Sequence, residues 1–128
     1  ALHQEIYGHK NIKADVKGEE RFILKSDEQM ASVLIGNLVK NAFLYTPEGG
    51  SIEIQMSRTG FSISNDGNAP LDKEKVFRRF YQPSGRREGA TGLGLALVYS
   101  VCINNGLDIT YDYADGRHIF SIILKKSK

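Results

Sequence analysis

Apolar and polar residues alternate in several short runs of this chain, and this pattern predicts β-strands that each turn one face towards a core. The runs form three neighbouring pairs: residues 11–16 with 21–24, 51–57 with 61–63, and 107–113 with 119–124. Turn sequences separate the two members of each pair. Asp115-Gly116 is the sharpest of these turns, because Asp-Gly favours a two-residue hairpin loop.

Between the first two strand pairs, the apolar residues recur with the spacing of an α-helix. Residues 26–29 read Ser-Asp-Glu-Gln, a capping box with acidic residues in the first turn. We therefore predict a long helix over residues 27–45, and Pro47 with the glycines after it would end this helix.

Two more helices are predicted between the second and third strand pairs. Val76, Phe77 and Phe80 have helical spacing, which predicts a short helix over residues 71–81. A second long helix is predicted over residues 92–105, followed by Gly106 as its C-terminal cap. Between the second strand pair and the short helix, residues 64–70 have the composition of a loop.

The order of these elements predicts the fold class. Strand pairs joined by hairpins give a mixed, largely antiparallel sheet, and the helices between them pack on one face. We therefore expect an α/β (α+β) two-layer sandwich with about three helices on one face. Residues 11–124 would form this domain, residues 1–10 a linker from an upstream region, and residues 125–128 a charged tail.

The composition excludes some classes of protein. The 128 residues are 41% hydrophobic and 25% charged, with a net charge of +2, which is ordinary for one globular domain. No basic stripe with interleaved aromatic residues points to nucleic acid, and no apolar run is long enough to span a membrane. The chain starts without methionine, and we expect it to be a domain excised from a longer protein.

The cysteine and histidine residues do not indicate a disulfide, a metal site or a nucleophile. The single cysteine, Cys102, excludes an internal disulfide framework and suits a reducing compartment, and its apolar neighbours predict a packed, inert thiol. His3, His9 and His118 lack metal-ligand spacing and are expected to be surface or strand residues. No Ser/His/Asp or Cys/His set indicates a nucleophile.

Two asparagines stand out on the first long helix. Asn37 and Asn41 are four residues apart and lie on the stripe that Leu34 and Leu38 define. A buried amide without a partner costs roughly 1–3 kcal/mol, so both side chains need partners. Neighbouring backbone groups could supply them, or a ligand or metal could, since an amide oxygen suits Mg²⁺.

The glycine-rich segment 89–98 runs directly into an apolar helix and follows a basic stretch that contains Arg86 and Arg87. Glycine permits close approach of a ligand, and the N-terminus of a helix attracts a phosphate. The segment is not a dinucleotide fingerprint, because no strand precedes it, and no Gly-x4-Gly-Lys-Ser/Thr loop occurs.

Together these motifs resemble the catalytic and ATP-binding domain of bacterial sensor histidine kinases, which share a superfamily with DNA gyrase, the ninety-kilodalton heat-shock chaperone and the mismatch-repair ATPases. The likeness extends over residues 11–124. Four boxes carry it: residues 37–50 resemble the asparagine box, 65–67 the first glycine box, 76–81 the phenylalanine box and 89–98 the second glycine box.

The resemblance implies a Mg·ATP site and a role for each box. Asn37 and Asn41 would be catalytic, with Asn41 holding Mg²⁺ and Asn37 lying beside the phosphates. Asn37 stands where hydrolysing relatives carry a glutamate that activates water, and an amide cannot act as that base.

The remaining implied cofactor contacts divide between base and phosphates. Tyr45 would line the pocket, Asn65 would read the adenine amino group, and Gly67 would admit the ring. Residues 78–91 would form a mobile ATP lid anchored by Phe77 and Phe80. At the phosphate end the implied residues are Thr91, Gly92, Leu93 and Gly94, with the backbone N–H groups of the two glycines on the phosphates.

The chain departs from the family pattern at three positions. Leu44 replaces a lysine that normally contacts phosphate, Asn65 replaces an aspartate, and Ala69 replaces a second glycine. An amide can still accept a hydrogen bond from the adenine amino group. Arg86 or Arg87 could supply the missing phosphate charge.

The function that the resemblance implies is transfer of the ATP γ-phosphate to a histidine outside this chain, on an upstream dimerisation domain. A response regulator would then receive the phosphoryl group. We expect a monomeric isolated domain that belongs to the cytoplasmic part of a homodimeric protein anchored in the bacterial inner membrane. Two alternatives stay open: a degenerate nucleotide-binding or scaffold domain, and an anti-sigma-factor serine kinase.

Overall fold

Five strands form one sheet in the computed structural model, which describes residues 12–17, 28–57, 59–81 and 92–124. In chain order the elements are β1 Lys13–Lys17, α1 Glu28–Tyr45, β2 Ser51–Met56, β3 Gly60–Asp66, α2 Gly94–Asn104, β4 Leu107–Ala114 and β5 Arg117–Leu124. The strand order is β1-β2-β3-β5-β4. β1 and β2 are parallel and every other pair is antiparallel, so the prediction of a mixed, largely antiparallel sheet is confirmed.

The β4–β5 hairpin turns where the sequence predicts. Asp115 and Gly116 have φ angles of 53° and 74°. Two successive positive φ angles are those of a type I′ turn, whose twist matches that of the flanking strands. The turn fixes a register in which Tyr111 pairs with Phe120 and Tyr113 with His118.

The long helix α1 spans the predicted residues as far as the structure describes them. Leu34, Leu38 and Ala42, each four residues apart, are buried in the core. The helix ends at Tyr45, and Thr46 then donates both its N–H and its hydroxyl to the carbonyl of Ala42. These bonds satisfy one of the carbonyls that a helix end leaves without a partner.

The core lies between the two helices and one face of the sheet. Side chains alternate along β5, so that His118, Phe120 and Ile122 are buried against the helices. The opposite face of β3 is polar, with Ser62, Ser64 and Asp66. The predicted two-layer sandwich is therefore confirmed.

Arg117 joins three strands on that polar face. Its guanidinium donates to Asp66 Oδ1 at 2.8 Å, to Ser51 Oγ at 2.9 Å and to the Ser64 carbonyl at 3.1 Å. Asp66 Oδ2 in turn accepts the Ser51 N–H at 2.8 Å. This network ties the start of β2 to the end of β3 and the start of β5, next to the loop that begins at Gly67.

Three predicted elements need correction. The short helix over residues 71–81 is wrong: the segment is a series of turns, and the described residues contain two helices rather than three. The loop from residue 64 is wrong for its first three residues, because β3 continues to Asp66. The second long helix begins at Gly94, two residues later than predicted.

The turns of residues 71–81 have a physical cause. Most backbone bonds there join residues three apart, as from the Lys75 N–H to the Asp72 carbonyl, and Asp72 Oδ1 accepts the Glu74 N–H. Phe80 has a φ of 65° and donates its N–H to the Gly92 carbonyl at 2.6 Å. This bond to a distant segment takes Phe80 out of any helical conformation.

The sequence prediction for Cys102 is confirmed. The side chain is fully buried on α2, and burial, with a smaller contribution from Asp108, raises the pKa of its thiol to about 11. Neither helix in the described part of the chain is long and apolar enough to cross a membrane. The predicted strand at 21–24, the linker 1–10 and the tail 125–128 lie outside the described residues.

Candidate functional site

A cavity of about 1040 Å³ opens between α1, the start of α2, the loop after β3 and the turns of residues 71–81. Side chains of β5 complete it. Eight predicted site residues line this cavity: Asn37, Asn41, Tyr45, Asn65, Gly67, Gly92, Leu93 and Gly94. The other three, Arg86, Arg87 and Thr91, lie outside the described residues. The volume suits a ligand of nucleotide size.

The two asparagines of α1 differ in how they are bonded. Asn37 Nδ2 donates to the carbonyl of Val33, one turn earlier on the helix, at 2.7 Å. The NH₂ group of the Asn37 amide therefore has a backbone partner, one of the possibilities that the sequence leaves open. Within the described residues, no hydrogen bond is seen for the half-buried side chain of Asn41. Asn41 thus offers an amide to the cavity.

Gly94 lies against the other half of the Asn37 amide. A Cβ at residue 94 would be 3.1 Å from Asn37 Oδ1, so glycine lets the start of α2 approach α1 closely. No side chain in the described part of the chain caps this helix start, and Gly94, Leu95 and Ala96 line the cavity. The first-turn N–H groups carry the positive end of the helix dipole.

Gly92 closes the cavity towards the turns of residues 71–81. It has a φ of 73°, and a Cβ there would lie 2.5 Å from the Cα of Phe80. The Phe80 side chain itself is 68% exposed, and its expected role in anchoring a lid stays a prediction, since residues 82–91 lie outside the described residues. Phe77 does pack inward, stacking on Tyr99 at 5.4 Å and meeting Phe120 edge-on at 6.1 Å.

Asn65 and Gly67 form the end of the cavity near the sheet. Asn65 lies in β3 rather than in a loop and is 2% exposed, with its Nδ2 donating to the Asp66 carbonyl at 3.1 Å. The Gly67 N–H donates to the carbonyl of Gly116, and the Gly67 carbonyl accepts a hydrogen bond from the Tyr113 hydroxyl at 2.9 Å. These bonds fix the backbone at the point where β3 enters the loop.

His118 is a buried cavity residue that the sequence analysis did not identify as part of a site. Its ring lies beside Gly67, where a Cβ would be 2.0 Å from Nε2, and its Nδ1 is bonded to the Tyr111 hydroxyl at 2.7 Å. Burial lowers the pKa of His118 and raises that of Tyr111, which favours the neutral form of both groups. The alternation of β5 with Phe120 and Ile122 could have identified His118 as an inward-facing residue.

The described walls of the cavity carry positive charge only. Lys40 and Arg79 line it, and no Asp or Glu is among its described lining residues. Lys40 comes one turn after Asn37 and one turn before Leu44, so helical spacing puts all three on the same face of α1. A cavity of this charge favours an anionic ligand.

Comparison with known proteins gives this geometry a family context. Residues 26–128 match the family model described as histidine kinase-, DNA gyrase B-, and HSP90-like ATPase. Over 133 residues the chain is 30% identical to the sensor histidine kinase RppB of Synechocystis sp., covering 96% of this chain and 29% of RppB. Over 103 residues it is 33% identical to the sensor-like histidine kinase SenX3 of Mycobacterium tuberculosis, covering 73% of this chain and 25% of SenX3. The chain thus spans less than a third of either relative.

Solved structures agree on the fold. The nucleotide-free catalytic domain of histidine kinase ThkA aligns with a TM-score of 0.76 and 24% identity, covering 98% of this chain and 86% of that one. ThkA in complex with response regulator protein TrrA aligns with a TM-score of 0.74 and 23% identity, covering 98% of this chain and 37% of that one. The five-stranded sheet and its two helices therefore have the architecture of such catalytic domains.

Proposed function

This chain belongs to the family of histidine kinase-, DNA gyrase B-, and HSP90-like ATPases, and on that premise we propose that it is the ATP-binding catalytic domain of a sensor histidine kinase. Its reaction is transfer of the ATP γ-phosphate to a histidine on a separate dimerisation domain. One observation carries the proposal. One cavity is lined by Asn37 and Asn41 of α1, by Gly92 and Gly94 near the start of α2, where Gly94 lies against Asn37, and by Asn65 and Gly67.

The phosphates lie between α1 and the start of α2 in this proposal. Backbone N–H groups at Gly94 and the residues after it meet the phosphate oxygens, and the helix dipole favours their charge. Gly92 and Leu93 line the same end of the cavity. Thr91, Arg86 and Arg87 belong to this end in the family resemblance and stay predictions. Positioning and charge stabilisation are what such a site contributes to phosphoryl transfer.

The residues present fit a magnesium ion at Asn41. Its amide lines the cavity with no described hydrogen-bond partner, and Mg²⁺ accepts few protein oxygens when phosphates and water complete its shell. When bound, the ion neutralises charge on the phosphates. The hydrogen bond from Asn37 to the Val33 carbonyl holds the amide in place. An amide cannot take a proton from water, so this site would not promote hydrolysis of ATP.

Lys40 and Arg79 supply the charge that Leu44 does not. Both line the cavity, whereas Leu44 places an apolar side chain where the family pattern has lysine. A nucleotide-binding domain that transfers no phosphoryl group is the second candidate, and the apolar Leu44 is the observation in its favour. The anti-sigma-factor serine kinase has no such observation behind it.

The partners follow from the reaction. The acceptor histidine would lie upstream, in a dimerisation domain of the same protein, and a response regulator would take the phosphoryl group from it. The complex of ThkA with response regulator protein TrrA supports this pairing. We place the domain on the cytoplasmic side of a homodimeric parent protein anchored in the inner membrane, and we propose no nucleic-acid partner.

The test combines binding with transfer. Calorimetry on this chain should show ATP binding that strengthens with Mg²⁺, and Asn41→Ala, which removes the amide oxygen, should lose most of that dependence. In the parent protein, wild-type sequence should phosphorylate its histidine and Asn41→Asp should lose most of the transfer. Mg·ATP binding without transfer by the parent would favour the second candidate, and no binding at all would refute both.

A further inference from the structure

One wall of the cavity is the short segment of residues 67–71, which follows β3. All five of its residues line the cavity. Its three middle residues, 68–70, are exposed and make no hydrogen bond within the described part of the chain. The position of this wall therefore depends on how its two ends, Gly67 and Leu71, are held.

Two tyrosine hydroxyls of β4 hold those ends. The Tyr113 hydroxyl donates to the Gly67 carbonyl at 2.9 Å, and the Tyr111 hydroxyl accepts the Leu71 N–H at 2.9 Å. The Gly67 N–H also donates to the Gly116 carbonyl. Because the two tyrosines are two residues apart on one strand, both side chains lie on the same face of the sheet. One strand therefore holds the segment at both ends.

Neighbouring rings hold each tyrosine in place. The Tyr111 hydroxyl is also bonded to His118 Nδ1 at 2.7 Å, and the Tyr111 ring packs on Phe120 with the ring centroids 5.0 Å apart. The centroid of the Tyr113 ring lies 5.2 Å from that of His118. Both hydroxyls thus project from a packed cluster of rings on two paired strands, and this cluster gives the segment a fixed support.

Neither tyrosine lines the cavity, so any effect of these hydroxyls on a ligand must pass through residues 67–71. When such a segment keeps its binding conformation in only a fraction of the molecules, the apparent affinity falls in proportion to that fraction. The association rate falls by the same factor, because only that fraction accepts the ligand. The dissociation rate stays the same, since the bound complex is unchanged.

We propose that Tyr111 and Tyr113 are positioning residues whose hydroxyls hold residues 67–71 in the conformation that receives the nucleotide. This rests on the proposed function, since it takes ATP as the ligand of the cavity. Ala69, where the family pattern has glycine, and Pro70 act in the same direction, because both narrow the conformations open to the segment. The wall is then in place before ATP arrives.

Two variants test the hydroxyls, because Tyr111→Phe and Tyr113→Phe each remove one hydroxyl and keep the ring. Stopped-flow fluorescence in magnesium buffer, with an ATP analogue that carries a fluorophore on its ribose, measures both rate constants. Each variant should bind about threefold to tenfold more weakly, as expected for one lost hydrogen bond, through slower association with unchanged dissociation. Tyr111→Phe should have the larger effect, because Gly67 keeps its bond to Gly116 when Tyr113 is changed.

Tyr99→Phe is the matched control. The Tyr99 hydroxyl makes no hydrogen bond to the described residues, its side chain lies on α2 outside the cavity, and phenylalanine keeps the stacking on Phe77. Its rate constants should equal those of the wild type. Association rate constants that match the wild type in both Tyr111→Phe and Tyr113→Phe would overturn the proposal, whatever the change in dissociation.

Amide hydrogen exchange covers a variant that fails to fold and needs no ligand. In the wild-type chain without nucleotide, the Leu71 N–H should exchange more slowly than the N–H groups of Asn68 and Ala69. Tyr111→Phe should remove this protection and leave that of Ile63, in the centre of the sheet, unchanged. A wild-type Leu71 amide that exchanges as fast as that of Asn68 would refute the proposal. The absence of any ATP binding by the wild type would instead refute the proposed function, while the exchange data still decide whether the hydroxyls hold the segment.

Discussion

The backbone of Phe80 is bonded directly to Gly92: its N–H donates to the Gly92 carbonyl at 2.6 Å. A Cβ on Gly92 would lie 2.5 Å from the Cα of Phe80, and the φ of 73° at Gly92 is one that side chains rarely adopt. Both features hold the turns of residues 71–81 against the start of α2. One wall of the cavity depends on this contact.

Gly92→Ala should therefore weaken ATP binding as well as stability. The new methyl group must move Phe80, and the walls of the cavity separate. Gly106→Ala is a matched control, because Gly106 has a φ of 70° and open space around it. Each change should cost about 1 kcal/mol from backbone conformation alone, measured by urea unfolding. Only Gly92→Ala should also raise the dissociation constant for ATP, and equal ATP affinities in the two variants would contradict the role of this contact.

Lys40 should make the charged contact with the ATP phosphates that the family pattern assigns to a lysine at the position of Leu44. Lys40→Ala should weaken ATP binding about threefold to tenfold, in line with the loss of one exposed charge contact, and should leave adenosine binding unchanged. Leu44→Lys should tighten ATP binding and should restore it in the Lys40→Ala background. Calorimetry at low and moderate salt measures both effects. Equal losses for ATP and adenosine would show that Lys40 does not contact phosphate.

His118 should make the free energy of unfolding depend on pH. Burial lowers its pKa in the folded protein below the ordinary value of 6.5, so below that value the unfolded chain takes up the proton first. The stabilisation is complete above the unfolded pKa and is lost as the pH falls through 6.5 towards the folded pKa. His118→Gln lacks this titration, so the difference in unfolding free energy between wild type and variant should shrink from about pH 7.5 to about pH 5.5. A difference that is constant with pH would contradict the prediction.

Cys102 should be inert in the folded chain. Its thiol is fully buried and burial raises its pKa to about 11, so little thiolate exists at neutral pH. Iodoacetamide should modify it only after the chain is unfolded in urea, as mass spectrometry would show. Rapid modification of the native chain would mean that α2 opens easily from the sheet.

Local chemistry explains which elements could be predicted from the sequence. Asp115-Gly116 specifies its own turn, and the spacing of Leu34, Leu38 and Ala42 identifies the buried face of α1 without reference to any distant residue. Asn37 and Asn41 could be singled out for the same reason, since their place on that helix follows from their positions along the chain.

Contacts between distant segments explain what could not be predicted. Phe80 leaves the expected helix because of Gly92, twelve positions later. Composition predicts a loop at Asn65, yet pairing with His118 across the sheet extends β3 past it. His118 was missed because its importance comes from Tyr111 and Gly67, which the sheet alone brings together.

The two ends of the cavity differ in how their atoms are held. Asn65 and His118 stand on paired strands that Arg117 ties together, and Gly67 is bonded to the hairpin residue Gly116, whereas Arg79, Tyr81 and Gly92 lie outside the helices and strands. A purine would thus meet a surface whose conformation is set before it arrives. The entropy cost of binding a nucleotide would therefore fall mostly on the groups that meet its phosphates.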